Sequence, residues 1–134
     1  MDTLSSHERS ERMGRIRSKH TKPELAVRRL VHSLGKRYRL HGIDLPGCPD
    51  LVFSSYGKVI LVHGCYWHRH KGCPHTRLPK SRLDFWRPKL EANAVRDAKN
   101  VRKLRALGWG VMVIWECQVA KREKIATRIK RFLQ

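Results

Sequence analysis

Residues 45–63 read Leu-Pro-Gly-Cys-Pro-Asp-Leu-Val-Phe-Ser-Ser-Tyr-Gly-Lys-Val-Ile-Leu-Val-His, and this stretch decides the fold class. Leu45–Pro49 is a rigid turn, because its two prolines fix the backbone and Gly47 relieves it. Asp50-Leu-Val-Phe53 leaves that turn as a strand. Ser54-Ser-Tyr-Gly57 has turn composition, and Lys58–His63 is a near-continuous apolar run of the buried-strand kind. Two strands joined this closely form a hairpin, with Asp50 and His63 near one end of neighbouring strands.

Working outward, Gly110–Trp115 is a third buried-type strand and Tyr38–Leu40 a short one. Thr21-Lys-Pro-Glu24 is a helix start, with Thr21 as N-cap, Pro23 in the first turn and Glu24 three residues after the cap. Val27, Leu30, Val31 and Leu34 then recur at helical spacing until Gly35. Asp84 can cap a helix carrying Phe85 and Trp86, which Pro88 restarts or kinks before it runs to Leu107. A last helix over about Lys121–Phe132 places Ile125, Ile129 and Phe132 on one face. The order is α, β-hairpin, loop, α, β, α, and a mixed sheet flanked by helices is the natural way to bury it. Residues 1–20 form a polar, basic arm, helical or partly disordered, and residues 21–134 a single domain.

With 30 Lys and Arg against 11 Asp and Glu, the 134-residue chain carries a formal charge of +19, which suits a polyanion such as nucleic acid. An anionic membrane is the rival partner. The basic residues, however, are spread from Arg9 to Arg131 and not gathered on one amphipathic helix. No stretch approaches the roughly 18 apolar residues of a membrane-crossing helix, and the first residues carry no apolar signal core. A cytoplasmic protein is expected, in which Cys48, Cys65, Cys73 and Cys117 are thiols or metal ligands.

Four constellations carry chemistry. Asp50, with strand-end carbonyls and water, offers the oxygen set that Mg²⁺ prefers, although Pro-Asp alone often only opens a turn. In His63-Gly-Cys-Tyr-Trp-His-Arg-His-Lys-Gly-Cys73, the residues Cys65, His70 and Cys73 have the spacing C-x4-H-x2-C. With Cys117 they would close a tetrahedral Zn²⁺ site, stapling the loop of residues 64–82 to the core; His75 or Cys48 could replace one ligand. His63 and His68 remain beside Asp50 to move protons near neutral pH. Tyr66, Trp67 and Trp86 project aromatics from a basic surface, fit to stack on bases or wedge between them. Trp109 and Trp115, in or beside an apolar strand, read as core.

Together these residues resemble the very-short-patch mismatch repair endonucleases over roughly residues 7–124. The resemblance is carried by Arg12-Met13, Pro23-Glu24, Leu45-Pro-Gly-x-Pro-Asp50, His63-Gly-Cys-Tyr-Trp-His68, Phe85-Trp86, Asn93 to Asp97, Leu107-Gly-Trp109 and Val113-Ile-Trp-Glu-Cys117. It implies a restriction-endonuclease-like α/β core, a divergent PD-(D/E)XK fold. It implies nicking of one strand 5′ of the thymine in a T·G mismatch left by deamination of 5-methylcytosine. In that reading Asp50 is the Mg²⁺ carboxylate, the Val62 carbonyl a second ligand, and His68 the general base, with His63 and Glu24 in support. Tyr66, Trp67 and Trp86 enter the DNA beside the mismatch, and Met13 inserts from the opposite groove. Cys65, His70, Cys73 and Cys117 hold Zn²⁺. Leu61-Val62-His63 stands where restriction nucleases carry an acid and a lysine, a departure the family shares. A monomer is expected, linked in function to a DNA cytosine methyltransferase and to mismatch-repair proteins. The alternatives are a nuclease of the same fold acting on another mismatch or on modified or branched DNA, and an inactive zinc-stapled DNA-binding module.

Overall fold

The computed structural model describes residues 21–65, 68–71, 73 and 83–134, with the side chains of residues 83–86 outside that description. The arm of residues 1–20, with Met13, and the loop residues Tyr66, Trp67 and His75 lie outside it too.

Helix α1 (Lys22–Ser33) begins as its sequence dictates: Thr21 Oγ1 accepts the Glu24 N–H at 3.3 Å. Strand β1 is only Arg39–Leu40, followed by β2 (Leu51–Phe53) and β3 (Lys58–His63). Between β2 and β3 a short 3₁₀ turn over Ser54–Tyr56 ends at Gly57, whose φ of 66° is costly for any residue with a Cβ. Helix α2 spans Leu83–Ala106, β4 spans Gly110–Trp115, and α3 spans Arg122–Phe132.

The sheet order is β1-β2-β3-β4. β1 and β2 pair antiparallel, as do β2 and β3 with Leu51 opposite Ile60. β3 and β4 run parallel, with Lys58 opposite Gly110 and His63 opposite Trp115. Parallel neighbours need a crossover, and α2 supplies it.

Both sheet faces are covered, which explains why β2 and β3 read as apolar runs and not as alternating patterns. Alternate residues point to opposite faces. Leu51, Phe53, Ile60, Met112 and Ile114 therefore meet Val27, Leu30 and Val31 of α1 and Ile125 and Ile129 of α3. Val52, Val59 and Leu61 face the other way, onto Leu104 of α2, with Val101, Trp109, Val111 and Val113 around them. His63 follows Leu61 in phase and so looks toward the α2 side.

Three expectations are corrected. α2 runs through Pro88 without restarting, and it begins at Leu83, so Asp84 lies inside it and does not cap it. The proline is the sixth residue of a 24-residue helix, where its ring removes one hydrogen bond and leaves the many that follow. Trp115 is only half-buried and is absent from both core groups, in contrast to Trp109.

Candidate active site and cysteine cluster

Among the described residues, three groups of donor side chains gather at the β3–β4 end of the sheet and on the hairpin beside it. The first joins Glu24, His41 and Asp50, whose donor atoms lie within 4.8 Å of one another. Asp50 leaves the 45–49 turn just before β2, and its Oδ2 accepts the Val62 N–H at 2.7 Å. The N–H and C=O of a strand residue leave on the same side, so the Val62 carbonyl also faces Asp50. Burial pushes the Asp50 carboxyl up to about 7, against the Val62 hydrogen bond and with help from the charge of Glu24. Glu24 is 1% exposed. Its oxygens lie 3.1 and 3.2 Å from His41 Nε2 and 3.4 Å from Arg28. A buried and a half-buried carboxylate this close repel, and a divalent cation between them would remove the conflict.

The second group is His63, His68 and Asp97. The structure thus places His63 and His68 with Asp97 of α2, while Asp50 is grouped with Glu24 and His41. The two imidazoles stack, centroids 4.0 Å apart and planes 7° apart. Parallel rings send their in-plane lone pairs side by side, not toward one point, so this pair suits proton handling better than chelation. His68 Nδ1 hydrogen-bonds to Asp97 Oδ2. A carboxylate on Nδ1 holds the proton there and leaves Nε2 as the basic nitrogen. Burial lowers His63 to about 4, helped by the charge of His68 and opposed by Asp97, so it is neutral at physiological pH. Its Nδ1 is a buried nitrogen without a hydrogen-bond partner among the described residues.

The third group is Cys65, His70, Cys73 and Cys117, again within 4.8 Å. His70 Nδ1 lies 3.6 Å from Cys65 Sγ and 3.4 Å from Cys117 Sγ. A tetrahedral Zn²⁺ with ordinary bond lengths would separate a sulfur from a nitrogen by about 3.6 Å. The donor set and the spacing both fit that ion. Burial pushes the Cys65 thiol up to about 12, with the neighbouring thiols adding to it, a penalty that a coordinated cation reverses. Glu116 Oε1 accepts the Cys65 N–H at 3.4 Å, tying the loop to the end of β4. Cys48 is exposed with φ 47° and stands apart from this cluster, as a turn residue.

Trp86 lies in the first turns of α2, its side chain undescribed. Sequence reasoning gave no role to Asp97 or His41. Asp97 is one of only three acids in α2 (with Asp84 and Glu91), which is a signal once the helix is known to face the site. His41 carries no signal by type or spacing. The outer face of α2 exposes Arg87, Lys89, Arg96, Lys99, Arg102, Lys103 and Arg105, a cationic stripe on the element that bears Asp97.

Comparison with known proteins identifies the family. The family described as DNA mismatch endonuclease Vsr matches residues 1–74. The type II nicking enzyme V.XorIIP of Xanthomonas oryzae pv. oryzae is 50% identical over 132 residues, covering 98% of this chain and 96% of the relative. The type II nicking enzyme V.NmeAIP of Neisseria meningitidis is 38% identical over 133 residues, covering 99% and 94%. The DNA mismatch endonuclease Vsr of Escherichia coli is 38% identical over 117 residues, covering 87% and 74%. A family match spanning more than half its length and relatives 38–50% identical over most of it place this chain, with its mixed four-stranded sheet clothed by helices, in the Vsr family of DNA mismatch endonucleases.

Proposed function

We propose that the protein nicks one strand of duplex DNA 5′ of the thymine in a T·G mismatch, using Mg²⁺ at Asp50 and a structural Zn²⁺ at the cysteine cluster. The observation that carries this reading is the division of labour in the site. The buried Glu24 and the half-buried Asp50 lie together at the hairpin, and a separate imidazole, His68, is held by Asp97 with its other nitrogen left basic. A cation at Asp50 and the Val62 carbonyl would stabilise negative charge on the phosphate oxygens and on the leaving oxygen.

The side chains do the rest. Asp97 fixes the tautomer of His68, so that His68 Nε2 can take a proton from the attacking water. His63 keeps that ring in its plane by stacking and stays neutral, avoiding a second positive charge at 4.0 Å. Its Nδ1, without a partner among the described residues, suits a water or a substrate oxygen. Glu24 completes the negative pocket for the cation. Cys65, His70, Cys73 and Cys117 would hold Zn²⁺ and thereby set the loop that carries Tyr66, Trp67 and His68. Tyr66, Trp67 and Trp86 are the residues to wedge beside the mismatch, with Met13 entering from the basic arm of residues 1–20.

The four-stranded sheet reads as a divergent PD-(D/E)XK core, with Leu61-Val62-His63 replacing its usual acid and lysine. We assign the chain a cytoplasmic place, a monomeric state, and a functional link to a cytosine methyltransferase and to mismatch-repair proteins. A second reading keeps the nickase and changes the target, since the 50% identical relative is named for nicking and not for a mismatch. A panel of end-labelled duplexes, matched and carrying each mismatch, incubated with Mg²⁺ or EDTA, tests both. Nicking of the thymine strand only in the T·G duplex and only with Mg²⁺ is expected. Equal cleavage of matched duplex overturns the mismatch reading.

A further inference from the structure

His41 is bound to both carboxylate-bearing segments at once. Its backbone N–H donates to the Asp50 carbonyl at 3.0 Å, and the next residue repeats the tie, Gly42 N–H to Pro49 carbonyl at 2.9 Å. Its side chain reaches the other way, Nε2 lying 3.2 and 3.1 Å from the two oxygens of Glu24. The residue adopts φ 48°, a left-handed conformation that disfavours side chains with a Cβ. Gly42 has no room for a Cβ, which would come within 2.9 Å of Val52 Cγ2. The chain is thus turned sharply here, and the turn delivers an imidazole to a carboxylate that is almost wholly buried.

We infer that His41 is a positioning residue of the carboxylate centre, its Nε2–H holding Glu24 turned toward Asp50 for a divalent cation. This rests on the reading of Asp50 as the cation's carboxylate. The direction of the hydrogen bond decides the role. An ionised carboxylate can only accept, so the nitrogen facing both Glu24 oxygens carries the proton and has no lone pair for the ion. His41 therefore acts through Glu24 and is not itself a ligand. Partners that orient metal-binding groups typically contribute 10–100-fold to metal affinity.

The test uses the full chain without DNA. Mn²⁺ serves as a spectroscopic probe by electron paramagnetic resonance, and Mg²⁺ binding is followed by calorimetry. His41→Ala should weaken binding of both ions by about 10-fold or more, while His41→Gln, which restores an N–H at similar reach, should recover most of it. His41→Met, similar in length without a donor, makes the same comparison if the alanine variant does not fold. With DNA present, the variant lacking the donor should raise the Mg²⁺ concentration for half-maximal nicking more than it lowers the rate at saturating Mg²⁺. Asp50→Ala, run in parallel, should lose binding outright. Wild-type binding in Asp50→Ala sinks the underlying reading. Loss there with wild-type affinity in His41→Ala and His41→Met sinks this inference alone. A melting temperature lowered equally in His41→Gln and His41→Met with affinity unchanged marks a purely structural residue. Nitrogen coupling to Mn²⁺ that disappears with His41 makes it a ligand and also overturns the proposal.

Discussion

The imidazole of His70 lies flat on the indole of Trp115, centroids 4.2 Å apart and planes 8° apart. The same indole meets the ring of His63 edge-on at 5.2 Å and 75°. Trp115 ends β4 opposite His63 in β3, so the parallel register itself sets one aromatic wall between the cysteine cluster and the histidine pair.

Trp115→Ala should therefore disturb both sites. Aromatic contacts of this kind contribute about 0.5–1.5 kcal/mol beyond burial. Metal analysis after dialysis against a chelator should show faster loss of zinc from the variant, together with a reduced nicking rate. Trp115→Phe should retain most of both. Unchanged zinc retention in the alanine variant would separate the two sites.

Asp50 predicts a pH dependence of defined sign. Its carboxyl titrates at about 7 in the folded chain against an ordinary 3.8, so the folded state holds the proton more tightly. The stability this contributes is complete below about pH 4 and is lost as pH rises through about 7. In chelator, the melting temperature of the native chain should fall relative to Asp50→Asn between those limits, by roughly 5 °C or more. Mg²⁺ should restore it at pH 8 and do little at pH 5. Thermal melts across pH, with and without Mg²⁺, check this.

Asp97→Asn should keep the fold and lower the nicking rate about 100-fold, because an amide no longer dictates which nitrogen of His68 is basic. Leu104→Ala is the contrasting variant. It removes a wholly buried anchor of α2 on the sheet, at about 2–5 kcal/mol of stability. Circular dichroism melts with single-turnover nicking should show the first variant losing rate without stability, and the second losing stability first.

The cationic stripe of α2 predicts salt-dependent binding. The log of the affinity should fall against the log of the salt concentration with a slope of about −0.9 per phosphate neutralised. Replacing Arg96 and Lys99 by Gln should flatten that slope equally for mismatched and matched duplexes, as measured by fluorescence anisotropy. A change confined to the mismatched duplex would assign those side chains to mismatch recognition instead.

Much of the scaffold was legible. The Thr21 cap, the Val27–Leu30–Val31 stripe, the 50–63 hairpin and the 110–115 strand each announce themselves within a few residues, because caps, turns and periodicity are local properties. Cys65, His70 and Cys73 share one loop, and their spacing alone marks a metal-site candidate. Pro88 does not restart the helix, since proline's cost depends on where along a helix it falls. Trp115 stands outside both core groups, since an apolar strand's last residue can be a wall of the site as readily as core.

Composition and local pattern thus determined the element order, the positive charge and most of the side chains that are candidates for the site. Only tertiary structure decided how those side chains are shared out. His68 meets Asp97 across 29 positions, Glu24 meets His41 across 17, and Cys65 meets Cys117 across 52. The first and third depend on the parallel β3–β4 register and on α2 crossing the sheet face, and the second on α1 packing beside the β1–β2 edge. Spacing along a chain specifies geometry only within one element; between elements, packing sets the distances.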